Sequence, residues 1–197
     1  MTLRADPARE DRSMSEAASP EALARLWEEH MRYEFETCNA DDTIATMVDD
    51  AYVNHIPVLT GGTGKAELHA FYATNFIPKM PPDLAIVPLS RTIGTDQLVE
   101  ELVLKFTHTV EIDWMLPGIA PTGRKVEVPL VAIVRFRDGK VAHEHIYWDQ
   151  ASVLVQLGLI DPAGLPVAGV ESAHKALDPS LPANALISRA ARPVTGG

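Results

Sequence analysis

PTGRKVEVPLVAIVRFRDGKVAHEHIYWDQASVLVQLG, from Pro121 to Gly158, is the stretch from which the fold is read. Two strand-like runs flank Arg137-Asp138-Gly139-Lys140, where Asp-Gly supplies the positive-φ pair that tight hairpin turns favour. In the second run His143, His145, Tyr147 and Asp149 stand at alternate positions, and alternate residues of a strand share a face. Four polar groups on a dry face are costly, whereas on a pocket wall they are useful. The spacing predicts strands over 125–137 and 140–150, a helix beginning near Ala151, and a pocket wall carrying those four side chains.

Upstream, residues 97–113 alternate in the same way. Leu98, Leu102, Leu104, Phe106, Val110 and Ile112 share one face with only two polar members, Glu100 and His108. A strand over 84–95 precedes them, with Gly94-Thr95-Asp96-Gln97 as the turn. Earlier still the period changes. Ser19-Pro20-Glu21 reads as a helix start, and Leu23, Leu26, Trp27, His30, Glu34 and Phe35 recur at helical spacing to about Thr37. A shorter helix through Thr43, Ile44, Met47 and Val48 follows, then a strand over 51–57 with Val53 and His55 on one face and Tyr52, Asn54 and Ile56 on the other. A third helix buries Leu68, Phe71, Tyr72, Asn75 and Phe76 and stops at prolines 78, 81 and 82. Residues 1–18 lack periodicity and read as a disordered segment, 19–158 as one domain, and 159–197 as an extended arm with a helix near 170–177.

Charge and composition remove several function classes. A net charge of −10 with no basic run argues against nucleic acid or anionic lipid as a partner. No apolar run nears the roughly 20 residues of a membrane helix, and the first residues lack a signal-peptide core. The single cysteine, Cys38, rules out an internal disulfide and suits a cytoplasmic protein. Gly61-Gly62-Thr63-Gly64-Lys65 lacks the full phosphate-loop spacing, and Ala66 follows the lysine, so it reads as a helix-starting loop.

Helices first and a curved antiparallel sheet last describe a cone-shaped α+β barrel around a pocket. Pro82-Asp83, Phe106-Thr107-His108-Thr109, Pro121-Thr122-Gly123-Arg124, Asp138-Gly139-Lys140-Val141, Asp149 and Gln156-Leu157-Gly158 together resemble the SnoaL-like polyketide cyclases of the nuclear transport factor 2-like superfamily, over about residues 20–158. The resemblance implies acid/base chemistry in the cone with no metal or organic cofactor, as in aldol ring closure. Many members carry their first acid where this chain has Ile146; Asp149 matches a later one. The tail also resembles sequences labelled as dienelactone-hydrolase relatives, but the nucleophile elbow such hydrolases need is absent.

The expected site follows. Asp149 is the candidate acid/base, or alternatively the cap of the following helix, and His55, His108 and His145 orient it or the substrate oxygen. Trp27, Tyr52, Phe71, Glu100, His143 and Tyr147 are candidates for the substrate wall. His108, His143, His145 and Asp149 could also ligate a metal, which the resemblance does not call for. The implied ligand is a small or medium apolar carbonyl compound, and the implied step an isomerisation, a ring closure or a hydration-type reaction. The alternative is a binding or assembly module: Val131 and Ile133 make the sheet apolar on its second side, which predicts a homodimer.

Overall fold

The computed structural model describes residues 19–190; the expectation for residues 1–18, and that for the last residues of the arm, lie outside this range. The first helix, α1 (Pro20–Phe35), begins as its sequence predicts, with the Ser19 hydroxyl accepting from the Ala22 N–H. It is followed by α2 (Ala40–Ala45), the strands β1 (Met47–His55) and β2 (Thr60–Thr63), and α3 (Gly64–Phe71). β1 therefore starts four residues before the strand expected at 51, and takes Met47 and Val48 from the second helix. A π-helical turn, Tyr72–Phe76, and a 3-10 turn, Ile77–Lys79, extend α3. Asn75 is exposed, not buried as helical spacing predicted, while Tyr72 and Phe76 both face inward.

The rest is sheet and arm: β3 (Ala85–Ile93), β4 (Gln97–Thr107), β5 (Lys125–Arg137), β6 (Lys140–Trp148), α4 (Gln150–Gln156), α5 (Glu171–Leu177) and α6 (Ala185–Ala190). The six strands form one unclosed sheet in the order β2-β1-β6-β5-β4-β3, antiparallel except where β1 runs parallel to β6. This is the expected α+β cone, open between its edge strands β2 and β3. β4 stops at Thr107, six residues short of the predicted strand end, because the backbone of His108 turns to pair with Gly123 and Arg124.

The core lies between the helices and the inner face of the sheet, where Leu98, Leu102, Val128, Val134 and Phe136 are buried. The opposite face is half-buried at Val99, Val131 and Ile133. The arm covers part of that face: α5 packs on β4 and β5, and Ala173 and Val103 are fully buried there. Among the described residues no helix is long and apolar enough to cross a membrane.

Candidate functional site

The hairpin carries the one irregularity that decides which side chains enter the cone. Asp138 and Gly139 both take positive φ, as a two-residue turn requires. An uninterrupted ladder from Arg137↔Lys140 would set His143 and His145 opposite Val134 and Ala132, inside the cone. Instead a bulge intervenes: Phe136 pairs with Val141 but Arg135 pairs with His143, leaving Ala142 as an extra residue. One added residue moves every later side chain to the other face. Glu144, Ile146 and Trp148 are turned inward, opposite Val134, Ala132 and Leu130.

The expected pocket wall therefore lies on the outer face. His143 and His145 stack there at 4.7 Å, Tyr52 stacks on His143 at 4.8 Å, and Tyr147 is exposed. Burial, His145 and Arg135 hold the His143 imidazole below its usual range. Asp149 is exposed and caps α4, its carboxylate accepting from the Ser152 N–H at 3.1 Å. His108 is fully buried but sits in the loop after β4, where Nδ1 accepts from the Thr122 N–H at 3.3 Å. Burial lowers its pKa. These residues are not brought together as a metal-ligand set. Of the ten expected site residues, Trp27, His55 and Glu100 line the cavity, and Phe71 packs against the His55 ring at 5.7 Å.

The cavity has a volume of about 60 Å³. It abuts a wider pocket of about 340 Å³ at the mouth between α1 and β3, and the two share Met31, Phe35, Ile86 and Glu100. Both oxygens of Glu100 are occupied within this wall: Trp27 Nε1 donates to one at 2.8 Å, and Arg91 donates twice to the other at 2.9 and 2.6 Å.

Deeper in lies a cluster that the sequence reading did not assemble. His30 and Glu34, one helical turn apart on the buried stripe of α1, meet Glu144 from β6. His30 Nε2 lies 3.1 Å from a carboxylate oxygen of each. Its Nδ1 is 2.6 Å from Thr46 Oγ1, whose own hydrogen is donated to the Thr43 carbonyl at 2.6 Å, so Nδ1 must be the donor. Burial pulls the His30 pKa down, but the charges of Glu34 and Glu144 outweigh it and raise it to about 10. Burial raises that of Glu34, against the opposing pull of His30. The Tyr72 hydroxyl, 3.4 Å from Glu144, is held well above its usual range by burial and the two carboxylates, and stays protonated. Among the described residues, His30, Glu34 and Glu144 are the group that could hold a metal ion, with ligand atoms within 4.8 Å of one another.

His55 lines the same cavity from β1, the strand beside β6, where it pairs with Ile146, inside a ring of aromatic side chains that includes Phe76, Trp114 and Trp148. Burial is the main cause that brings its pKa to about 4, so it is neutral near pH 7. The arrangement places a neutral imidazole and a charged, proton-holding cluster on the wall of one apolar space. That combination suits proton transfer on a small molecule.

Comparison with known proteins agrees with the fold. The sequence model of the SnoaL-like polyketide cyclase family matches residues 21–157. Among solved structures, AclR from Streptomyces galilaeus superposes with a TM-score of 0.56 at 22% identity, covering 73% of this chain and all of that one. A SnoaL-like protein from Jannaschia gives 0.54 at 23%, covering 70% and 94%. SalBIII, an epoxide hydrolase/cyclase-like enzyme of pyran ring formation in salinomycin, gives 0.50 at 14%, covering 68% and 94%. At such identities the likeness is one of fold. No curated protein matches the chain.

Proposed function

Because the chain belongs to the SnoaL-like polyketide cyclase family, we propose that it is a cofactor-independent acid/base enzyme acting on a small, mainly apolar carbonyl compound, with Glu144 as the base. The observation that carries this reading is the Glu144 carboxylate, 3% exposed, at the wall of an apolar cavity and 3.1 Å from an imidazole whose other nitrogen is anchored. Ile146, where relatives carry an acid, is also on the cavity wall, and Glu144 supplies a carboxylate two residues earlier on the same strand face.

In the proposed reaction Glu144 takes a proton from the carbon beside the carbonyl. The C–H electron pair moves into the enolate, and charge collects on the carbonyl oxygen. The Tyr72 hydroxyl is the donor available to that oxygen, while His30 keeps its proton and balances the remaining charge. Return of the proton to another carbon gives an isomer; attack of the enolate carbon on a second carbonyl closes a ring, the C=O π pair moving to oxygen, which takes the proton back from Glu144.

The test is deuterium uptake from D₂O at the α-carbon across a panel of small ketones, read by mass spectrometry. A positioned base contributes about 10²–10⁴ in rate, so E144Q should lower uptake about 100-fold or more in protein that circular dichroism shows to be folded. Unchanged uptake in E144Q, or wild-type uptake no faster than buffer on every ketone, would sink the reading.

A second reading, a binding module without turnover, is favoured by the small cavity volume; it predicts a co-purifying ligand returned unchanged after incubation. In either case a second copy suits the half-buried outer face, and a reducing cytoplasm suits the exposed, unpaired Cys38. Sedimentation at micromolar concentration would show a dimer, and a monomer would count against that assembly.

A further inference from the structure

The cavity is rich in acceptors. Glu34 and Glu144 present carboxylates, and both oxygens of Glu100 are already taken by Trp27 and Arg91. His55 adds another acceptor, and the reason is its tautomer. Its Nδ1 lies 3.3 Å from the carbonyl oxygen of Thr60, and a carbonyl can only accept, so Nδ1 carries the hydrogen. Thr60 is held in place on both sides: it pairs with His55 in the β1–β2 ladder, and its hydroxyl donates to the Trp114 carbonyl at 2.7 Å. A neutral imidazole with its hydrogen on Nδ1 has a lone pair on Nε2. Among the described residues nothing donates to that nitrogen, although the residue is 3% exposed and lines the cavity.

An acceptor on the cavity wall, in a residue only 3% exposed, discriminates between ligands that bring a donor and ligands that do not. We infer that the substrate carries a hydroxyl group, donated to Nε2 of His55, and that His55 selects hydroxylated carbonyl compounds over plain apolar ones. A hydroxyl meets this acceptor without bringing a charge into the aromatic surround of Phe71, Phe76, Trp114 and Trp148. A carboxylate-bearing ligand is disfavoured on the same grounds, since it would add an anion to a cavity already lined by three acids. This inference rests on the acid/base reading for the carbonyl, but not for the hydroxyl.

The experiment compares phenol with toluene, a matched pair that differs in the donor, by NMR titration of the full chain labelled with ¹⁵N-histidine. Wild type should bind phenol about tenfold more tightly than toluene, and the His55 Nε2 resonance should move with phenol alone. In H55F the preference should vanish; in D149S, whose side chain lies outside the cavity, it should remain. Equal affinities, no binding of either at millimolar concentration, or an unmoved Nε2 resonance in the wild type would overturn the inference without recourse to a variant. A preference that survives in H55F and disappears in E144Q would place the hydroxyl on Glu144 and overturn it too. Loss of ketone exchange in E144Q with no phenol preference would leave the acid/base reading standing and remove this one; the reverse result would do the opposite.

Discussion

Replacing Asp149 separates a structural carboxylate from a chemical one. Its side chain accepts from the Ser152 N–H at 3.1 Å and closes the first turn of α4. That helix buries Ser152 and Val153 completely, and its Gln156 is clamped to β5 through the Glu127 N–H at 2.9 Å and the Glu127 carbonyl at 3.0 Å. D149A removes the cap, and cap loss costs about 1 kcal/mol, within a range of roughly 0.5–2. For a domain of this size that corresponds to a fall in melting temperature of about 2–4 °C. D149S keeps an oxygen at the cap and should melt within about 1 °C of wild type. Both variants should exchange ketone protons at the wild-type rate, because the carboxylate is exposed and outside the cavity. Calorimetry and the deuterium-uptake assay read the two effects separately. A D149S protein with wild-type melting and uptake reduced about 100-fold would refute the argument and return Asp149 to the chemistry.

Further outcomes follow from the same geometry. His30 and Glu34 both bind protons more tightly folded than unfolded, so their contribution to stability is full at low pH. That of His30 is lost as pH rises from 6.5 to about 10. At roughly 1.4 kcal/mol per unit the ceiling is about 5 kcal/mol; urea melts across that window should show the fall, with a shallower one in H30Q. R91A leaves the nearly buried Glu100 with Trp27 as its remaining partner, and should cost about 3 kcal/mol in denaturant unfolding. Gly61 has φ 138°, and a Cβ there would lie 2.0 Å from the Val53 carbonyl oxygen. G61A should therefore cost at least about 3 kcal/mol; a wild-type melting curve would contradict the β1–β2 register.

Most of the fold was legible because its signals are local. Ser19-Pro20 starts α1, Asp138-Gly139 turns the hairpin, and period-two runs mark β4 and β5. The inward direction of His55 was legible too, from its alternation with Tyr52. The face of β6 was not. Alternation gives two sets of side chains, and which set is inside depends on register, which the bulge at Ala142 shifts by one. Nothing in Val141-Ala142-His143 announces that extra residue. Glu144 was hidden by it, and His30 and Glu34, though visible on the buried stripe of α1, had no partner to suggest a cluster. The π turn that brings Tyr72 to Glu144 leaves no periodic signal either.

The parallel pairing of β1 with β6 also sets a timetable for synthesis. Tyr52 has no partner on that side until His143 exists, and every other neighbouring strand pair is antiparallel and adjacent in sequence. At about 5–20 residues per second, the nascent chain waits roughly 5–20 s between the two strands. Through that interval the inner stripe of α1, with Trp27, His30 and Glu34, has only the incomplete sheet to pack against. Such distant pairing slows folding relative to hairpins. Glu144 and Ile146 of β6 line the cavity, so it cannot be complete until β6 has left the ribosome.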